Sequence, residues 1–280
     1  MKTFEANWKS KDGIDFFVRG WEPDHKPKAV VALVHGLGEH TGRYEHVAKA
    51  MTEAGYALVG FDLRGHGKSS GIRGHFPSLD AVMQDIKDFF AFLTMRYPDL
   101  PQFLYGHSLG GLLVLTYSLK NKANLKGVIA TGAGLRSPIH EQKMKILVAK
   151  LLGSLAPSAL IPSGLETAAI SRDKNIVDIY VSDPLVHDRI SLGFGKTGLN
   201  ATEYAWSHAE EFSAPLLIMH GSADRITYPH GSADFSKLAA MNNQDITLKL
   251  WEGMYHEVHN EPEKEQVIKY MIDWLDSHLY

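Results

Sequence analysis

Short apolar runs alternate with longer helical patterns along this chain, and the alternation breaks once before it resumes. Few folds fit that order. Ala29–His35 (AVVALVH) is continuous and apolar, as expected of a strand covered on both faces. A helical stretch runs from about Arg43 to Ala54, with Gly55 as its stop, and Ala57–Phe61 is the next strand. Ser78 is placed to cap a helix reaching about Tyr97, with Pro98 and Pro101 beyond it. A strand Phe103–Tyr105, an apolar helix Leu109–Lys120 and a strand Leu125–Thr131 follow. Two further strands, Thr3–Trp8 and Asp15–Trp21, open the chain around the turn signal Lys11-Asp12-Gly13. Repeated strand–helix order implies an α/β fold with a mostly parallel sheet and helices on both faces.

From about Leu135 to Phe212 no strand-like run is expected, and Pro138, Pro157, Pro162 and Pro184 break the helical pieces. The alternation then returns with strand Leu216–His220, helix His230–Met241, strand Ile246–Trp251 and helix Glu263–Leu279. The length of 280 residues alone suggests roughly two domains in series. The interrupted pattern predicts a different arrangement: one core over 1–134 and 213–280, with a helical cap or lid inserted over 135–212.

Composition removes several functions. The chain has 29 Lys+Arg against 32 Asp+Glu, a formal charge of −3, which argues against a general nucleic-acid binder. It has no Cys, so disulfides, thiolate nucleophiles and Cys-type metal sites are out. No metal or cofactor is expected. The N-terminal segment, interrupted by Glu5, Lys9, Lys11 and Asp12, has no signal-peptide core, and no apolar run approaches the ~20 residues of a membrane span. The expectation is a cytoplasmic protein that can touch a membrane surface, with no obligate protein partner.

Gly106-His107-Ser108-Leu109-Gly110 matches G-x-S-x-G, a sharp strand-to-helix turn that exposes a serine hydroxyl. Gly67-Lys68-Ser69-Ser70-Gly71 matches as well. Only the first lies between a strand-like run and an apolar helix, so Ser108 is the expected nucleophile and Ser69 a structural loop residue. A serine needs a base, and the base an orienting carboxylate. Asp224 follows strand Leu216–His220, where the acid should stand; Asp234, within a helical pattern, is the weaker candidate. His256 follows Ile246–Trp251 and is the expected base, with His259 as competitor. His256-Glu257-Val258-His259 is not a zinc motif, because H-E-x-x-H needs a second His at position 260, which is Asn. Backbone N–H groups of Leu109 and Leu37, the latter in the turn His35-Gly36-Leu37-Gly38, are the expected oxyanion donors.

Together these residues resemble the α/β-hydrolase fold, with a central sheet of about eight strands. His35 to His40, Gly42-Arg43-Tyr44, Asp62 to Ser69, Gly106 to Gly111, Asp178 to Leu185 and Tyr255 to Glu261 resemble the monoacylglycerol lipase and lysophospholipase group over nearly the whole chain. The resemblance implies the triad Ser108, Asp224 and His256 and the oxyanion pair Leu37 and Leu109. It also implies a glycerol head group met by Glu39, Arg43, His107, Tyr180 and His259, and a lid of which the apolar Ile146–Ile161 lines an acyl tunnel or touches a membrane. The other reading of that segment is an amphipathic helix packed on the core, with Lys145 and Lys150 outward. The expected substrate is a small lipid-like ester, a monoacylglycerol first. A lysophospholipase, a short- or medium-chain carboxylesterase, an acyl transferase and a non-catalytic receptor on the same fold are the alternatives.

Overall fold

The computed structural model describes residues 1–121, 125–142, 144 and 151–279. Eight strands form one sheet: β1 (Lys2–Lys9), β2 (Asp15–Glu22), β3 (Ala29–Val34), β4 (Tyr56–Phe61), β5 (Gln102–His107), β6 (Gly127–Thr131), β9 (Leu216–Gly221) and β10 (Ile246–Trp251). Their order across the sheet is β1-β2-β4-β3-β5-β6-β9-β10. The β1–β2 and β2–β4 pairs are antiparallel and the rest parallel. The core helices are α1 (Glu45–Glu53), α2 (Leu79–Arg96), α3 (Leu109–Asn121), α6 (Pro229–Ala239) and α7 (Lys264–Ser277).

The continuous apolar strands have the expected physical cause. In β3, Val30, Ala32 and Val34 face one apolar cluster and Ala29, Val31 and Leu33 the other, all fully buried. Side chains alternate across a strand, so a strand covered on both sides must be apolar at every position. Helices α2, α3 and α6 cover the first face; α1 and α7 cover the second. Ser78 caps α2, its side chain accepting from the Ala81 N–H.

Helix Arg43–Ala54 begins differently from expectation. Thr41–Tyr44 is a 3-10 turn whose cap, His40, accepts from the Gly42 N–H, and α1 starts only at Glu45. The stretch from 135 to 212 also departs from its prediction, because it does contain strands. β7 (Leu160–Pro162) and β8 (Arg189–Ser191) pair antiparallel in a separate two-stranded ribbon. Each is three residues long and one ends in proline, too little for a two-residue period to register. The stretch also holds α4 (Lys174–Ser182) and α5 (Leu192–Ser207). Helix α5 is part of the main core: Phe194, Ala201 and Ala205 are buried in the same cluster as α3. Of the apolar segment Ile146–Ile161, residues 146–150, together with Lys145, lie outside the described residues. Residues 151–155 are helical, with Leu151 and Leu155 59% and 72% exposed. No helix among the described residues is long and apolar enough to cross a membrane.

Candidate active site

The G-x-S-x-G turn joins β5 to α3 and places Ser108 at φ 55°, a left-handed conformation that costs a non-glycine residue energy and is held by its surroundings. Three backbone hydrogen bonds hold it. The Ser108 N–H donates to the Thr131 carbonyl at 2.8 Å, and its own carbonyl accepts from Leu112 and Gly134. The two glycines are required by contact: a Cβ on Gly106 would collide with the Gly110 carbonyl oxygen, and one on Gly110 with that of Val34. Leu109 is the first residue of α3, so its N–H has no partner within the helix and lies beside the serine.

β9 ends one turn before Asp224, and β10 ends before the loop carrying His256. The two side chains meet Ser108 across the carboxyl ends of the parallel strands. His256 Nε2 lies 2.8 Å from Ser108 Oγ, and His256 Nδ1 lies 2.7 Å from Asp224 Oδ2. Asp224 is 5% exposed, yet every acceptor it offers is used. Its Oδ1 accepts from the Ile226 and Thr227 N–H groups, and its Oδ2 from Thr227 Oγ1 and, at 3.0 Å, His220 Nε2. Burial alone would raise the Asp224 pKa. The His256 charge and the hydrogen bonds from His220 and His256 outweigh it and hold the carboxyl well below its usual range. For His256 burial favours the neutral ring, but Asp224 prevails and raises the pKa above its ordinary value.

The competing residues sit elsewhere. Ser69 Oγ donates to the Asp62 carbonyl and accepts from the Phe17 N–H, a structural link between loop and strand. Asp234 pairs with Lys237 along α6. His259 is buried between the rings of Tyr44 and His107, with centroids 5.0 and 4.7 Å away, and burial pushes its pKa down to about 3.

Ser108 and His256 open onto a cavity of about 660 Å³. Leu37 and Leu109 line it beside the serine; Leu112, Ile190, Phe194 and Leu199 form an apolar wall, and Glu39, His107, Tyr180 and Glu257 contribute polar groups. The residues expected around a head group therefore divide. Glu39, His107 and Tyr180 reach the cavity, whereas Arg43 and His259 are not among its lining residues. The Arg43 guanidinium is held by Glu39 and Glu257 and stacks on the Tyr180 ring at 4.6 Å.

Two participants carried no signal in the sequence. Thr227 Oγ1 bridges Asp224, His256 Nδ1 (3.2 Å) and the Gly132 carbonyl, but a lone threonine belongs to no pattern. Glu257 stood in the sequence as part of a failed zinc motif and inside the Tyr255 to Glu261 stretch, with no role of its own.

An eight-stranded, mostly parallel sheet with a Ser–His–Asp relay at the strand ends is a serine hydrolase of the α/β-hydrolase fold. The family model described as serine aminopeptidase, S33 (Hydrolase_4) matches residues 25–263, and the chain belongs to that family. An abhydrolase domain-containing protein of Dictyostelium discoideum is 41% identical over the whole chain, which spans only 30% of that relative's length. The monoacylglycerol lipase of Mycolicibacterium smegmatis is 33% identical over 98% of both chains. The crystal structure of Paleococcus ferrophilus monoacylglycerol lipase is 35% identical and superposes with a TM-score of 0.85, covering 99% of this chain and all of that one.

Proposed function

We propose that this chain hydrolyses monoacylglycerols to fatty acid and glycerol through an acyl-enzyme on Ser108. The observation that carries the reading is the hydrogen-bonded series Ser108–His256–Asp224 opening on a cavity with a large apolar wall and a small polar corner. In this reading the acyl chain lies along Leu112, Phe194 and Leu199, and the glycerol sits near Glu39, His107 and Tyr180. Ser108 Oγ attacks the ester carbonyl while His256 Nε2 takes its proton. The oxyanion forms against the Leu37 and Leu109 N–H groups, and the imidazolium is stabilised by Asp224. His256 gives the proton to the departing glycerol oxygen. It then draws a proton from water, whose oxygen attacks the acyl-enzyme and frees the fatty acid.

Residues 135–212 act as a lid in this reading. Ile139, Ile190, Leu192 and Leu199 from that stretch line the cavity, which supports a role in enclosing the acyl chain. Leu151, Leu155, Ile179 and Val181 are exposed apolar side chains of the same stretch, which supports transient contact with a lipid surface.

Hydrolysis rates for monoacylglycerols, diacylglycerols, triacylglycerols, lysophosphatidylcholine and an aminoacyl anilide test the substrate class. Monoacylglycerol should be turned over fastest. A rate no higher than for the other substrates would falsify the assignment.

A further inference from the structure

One buried charge beside the cavity has no chemical task in that reading: Arg43, which lies behind the lining and joins two of its carboxylates, Glu39 and Glu257, in a three-residue network. The side chains of Glu39, Arg43 and Glu257 are 2%, 8% and 4% exposed. Arg43 Nη1 donates to Glu39 Oε2 and to Glu257 Oε1, both at 2.7 Å, and its Nη2 donates to Glu257 Oε2 at 2.8 Å. The Glu257 contact is therefore a two-pronged fork, the geometry for which a guanidinium is built.

Each carboxylate also grips backbone or side chains close to the chemistry. Glu39 Oε1 accepts from the Gly36 N–H at 2.6 Å and from Tyr44 Oη at 2.7 Å. Gly36 immediately precedes Leu37. Glu257 immediately follows His256, and its Oε2 also accepts from Asn260 Nδ2 at 2.8 Å. One guanidinium thus joins the turn that presents the oxyanion donor to the loop that presents the base. These two segments are more than 200 residues apart in the chain, and no strand pairing joins them; β3 and β10 lie four places apart in the sheet.

We propose that Arg43 is a positioning residue, a brace that fixes the 35–38 turn relative to the His256 loop, and that it does not bind substrate. Three of its five N–H groups are held by the two glutamates, its face lies on Tyr180, and it does not line the cavity. The proposal rests on the ester-hydrolase reading of Ser108 and His256. A brace acts on every ester, because misplacing reacting groups by about 1 Å can cost ~100-fold whatever the leaving group. A head-group ligand acts only on esters that carry a glycerol.

The test compares a short p-nitrophenyl ester, which has no glycerol, with a monoacylglycerol in wild type, Arg43→Gln, Glu257→Gln and the double variant. Active sites are counted by burst titration with a fluorophosphonate, so that misfolded protein does not enter the rate. The brace predicts a fall of about 10- to 100-fold in kcat per titrated site on both substrates, with KM for the p-nitrophenyl ester nearly unchanged. It also predicts that the double variant is no worse than the less active single, since either change already breaks the Glu39–Arg43–Glu257 connection. Full kcat on the p-nitrophenyl ester with a raised KM for monoacylglycerol would overturn it and return Arg43 to the head group. So would losses that multiply in the double variant. Should Arg43→Gln yield no titratable sites, Glu257→Gln, which leaves the Arg43–Glu39 pair intact, decides the question by the same two-substrate comparison. Loss of the ester-hydrolase reading would show separately, as p-nitrophenyl ester turnover that survives Ser108→Ala.

Discussion

At the residue scale the site depends on how Asp224 and His256 hold their protons. His256 can accept the Ser108 proton only when neutral. Its folded pKa is raised above 6.5, so it stays protonated to higher pH than a free histidine. The value of kcat/KM should therefore rise with pH through a midpoint above 6.5 and fall about tenfold per unit below it. Asp224→Asn removes the charge that raises it. That variant should lose about 10⁴-fold in kcat and move the midpoint to lower pH. A pH–rate profile of both proteins checks the direction; an unmoved midpoint would show that another group limits the rate. That the side chains of Ser108, Asp224 and His256 meet could be expected from the sequence because each follows a strand end, a position that an apolar run reveals. The partition of Arg43 and His259 away from the cavity could not be read, since residue type says nothing about which way a side chain packs.

At the element scale, two glycine pairs do opposite things. Gly106 and Gly110 are forced by contact with carbonyl oxygens where β5 and α3 pass close together. Gly110→Ala should cost about 1–3 kcal/mol, read from the denaturant midpoint. Gly195 and Gly198 lie on α5, line the cavity and have nothing within 4 Å of an added Cβ. Gly198→Ala should therefore stabilise the protein by roughly 0.5–1 kcal/mol through helix propensity. Gly198→Phe should fill acyl space and shift the preference toward shorter chains, measured as kcat/KM against acyl length. An unchanged profile would place the acyl chain elsewhere in the cavity. The sequence showed α5 only as a helical piece in the interrupted stretch. Its membership of the main core depends on Phe194, Ala201 and Ala205 meeting α3, a contact across more than 80 residues that no local period encodes.

At the scale of the whole molecule, the broken alternation had a structural meaning. The central sheet closes across the 135–212 stretch, so Ser108 before it and Asp224 and His256 after it reach one place. The two short strands β7 and β8 escaped detection because three-residue pairs are specified by their partners more than by their own sequence. Leu155→Glu with Ile179→Glu should weaken co-sedimentation with phosphatidylcholine vesicles and slow hydrolysis of vesicle-borne monoacylglycerol. Hydrolysis of a soluble p-nitrophenyl ester should be unaffected, because both residues are surface groups outside the cavity lining. Equal vesicle binding by wild type and variant would remove the lipid-surface role.

Whether Ser108 carries out monoacylglycerol hydrolysis is read from glycerol release from a monoacylglycerol by wild type and by Ser108→Ala. Both proteins would first be shown to share one melting transition. The variant should fall by several orders of magnitude, to the level left by binding and oxyanion stabilisation alone. Release by Ser108→Ala within tenfold of wild type would mean that the chemistry is done elsewhere.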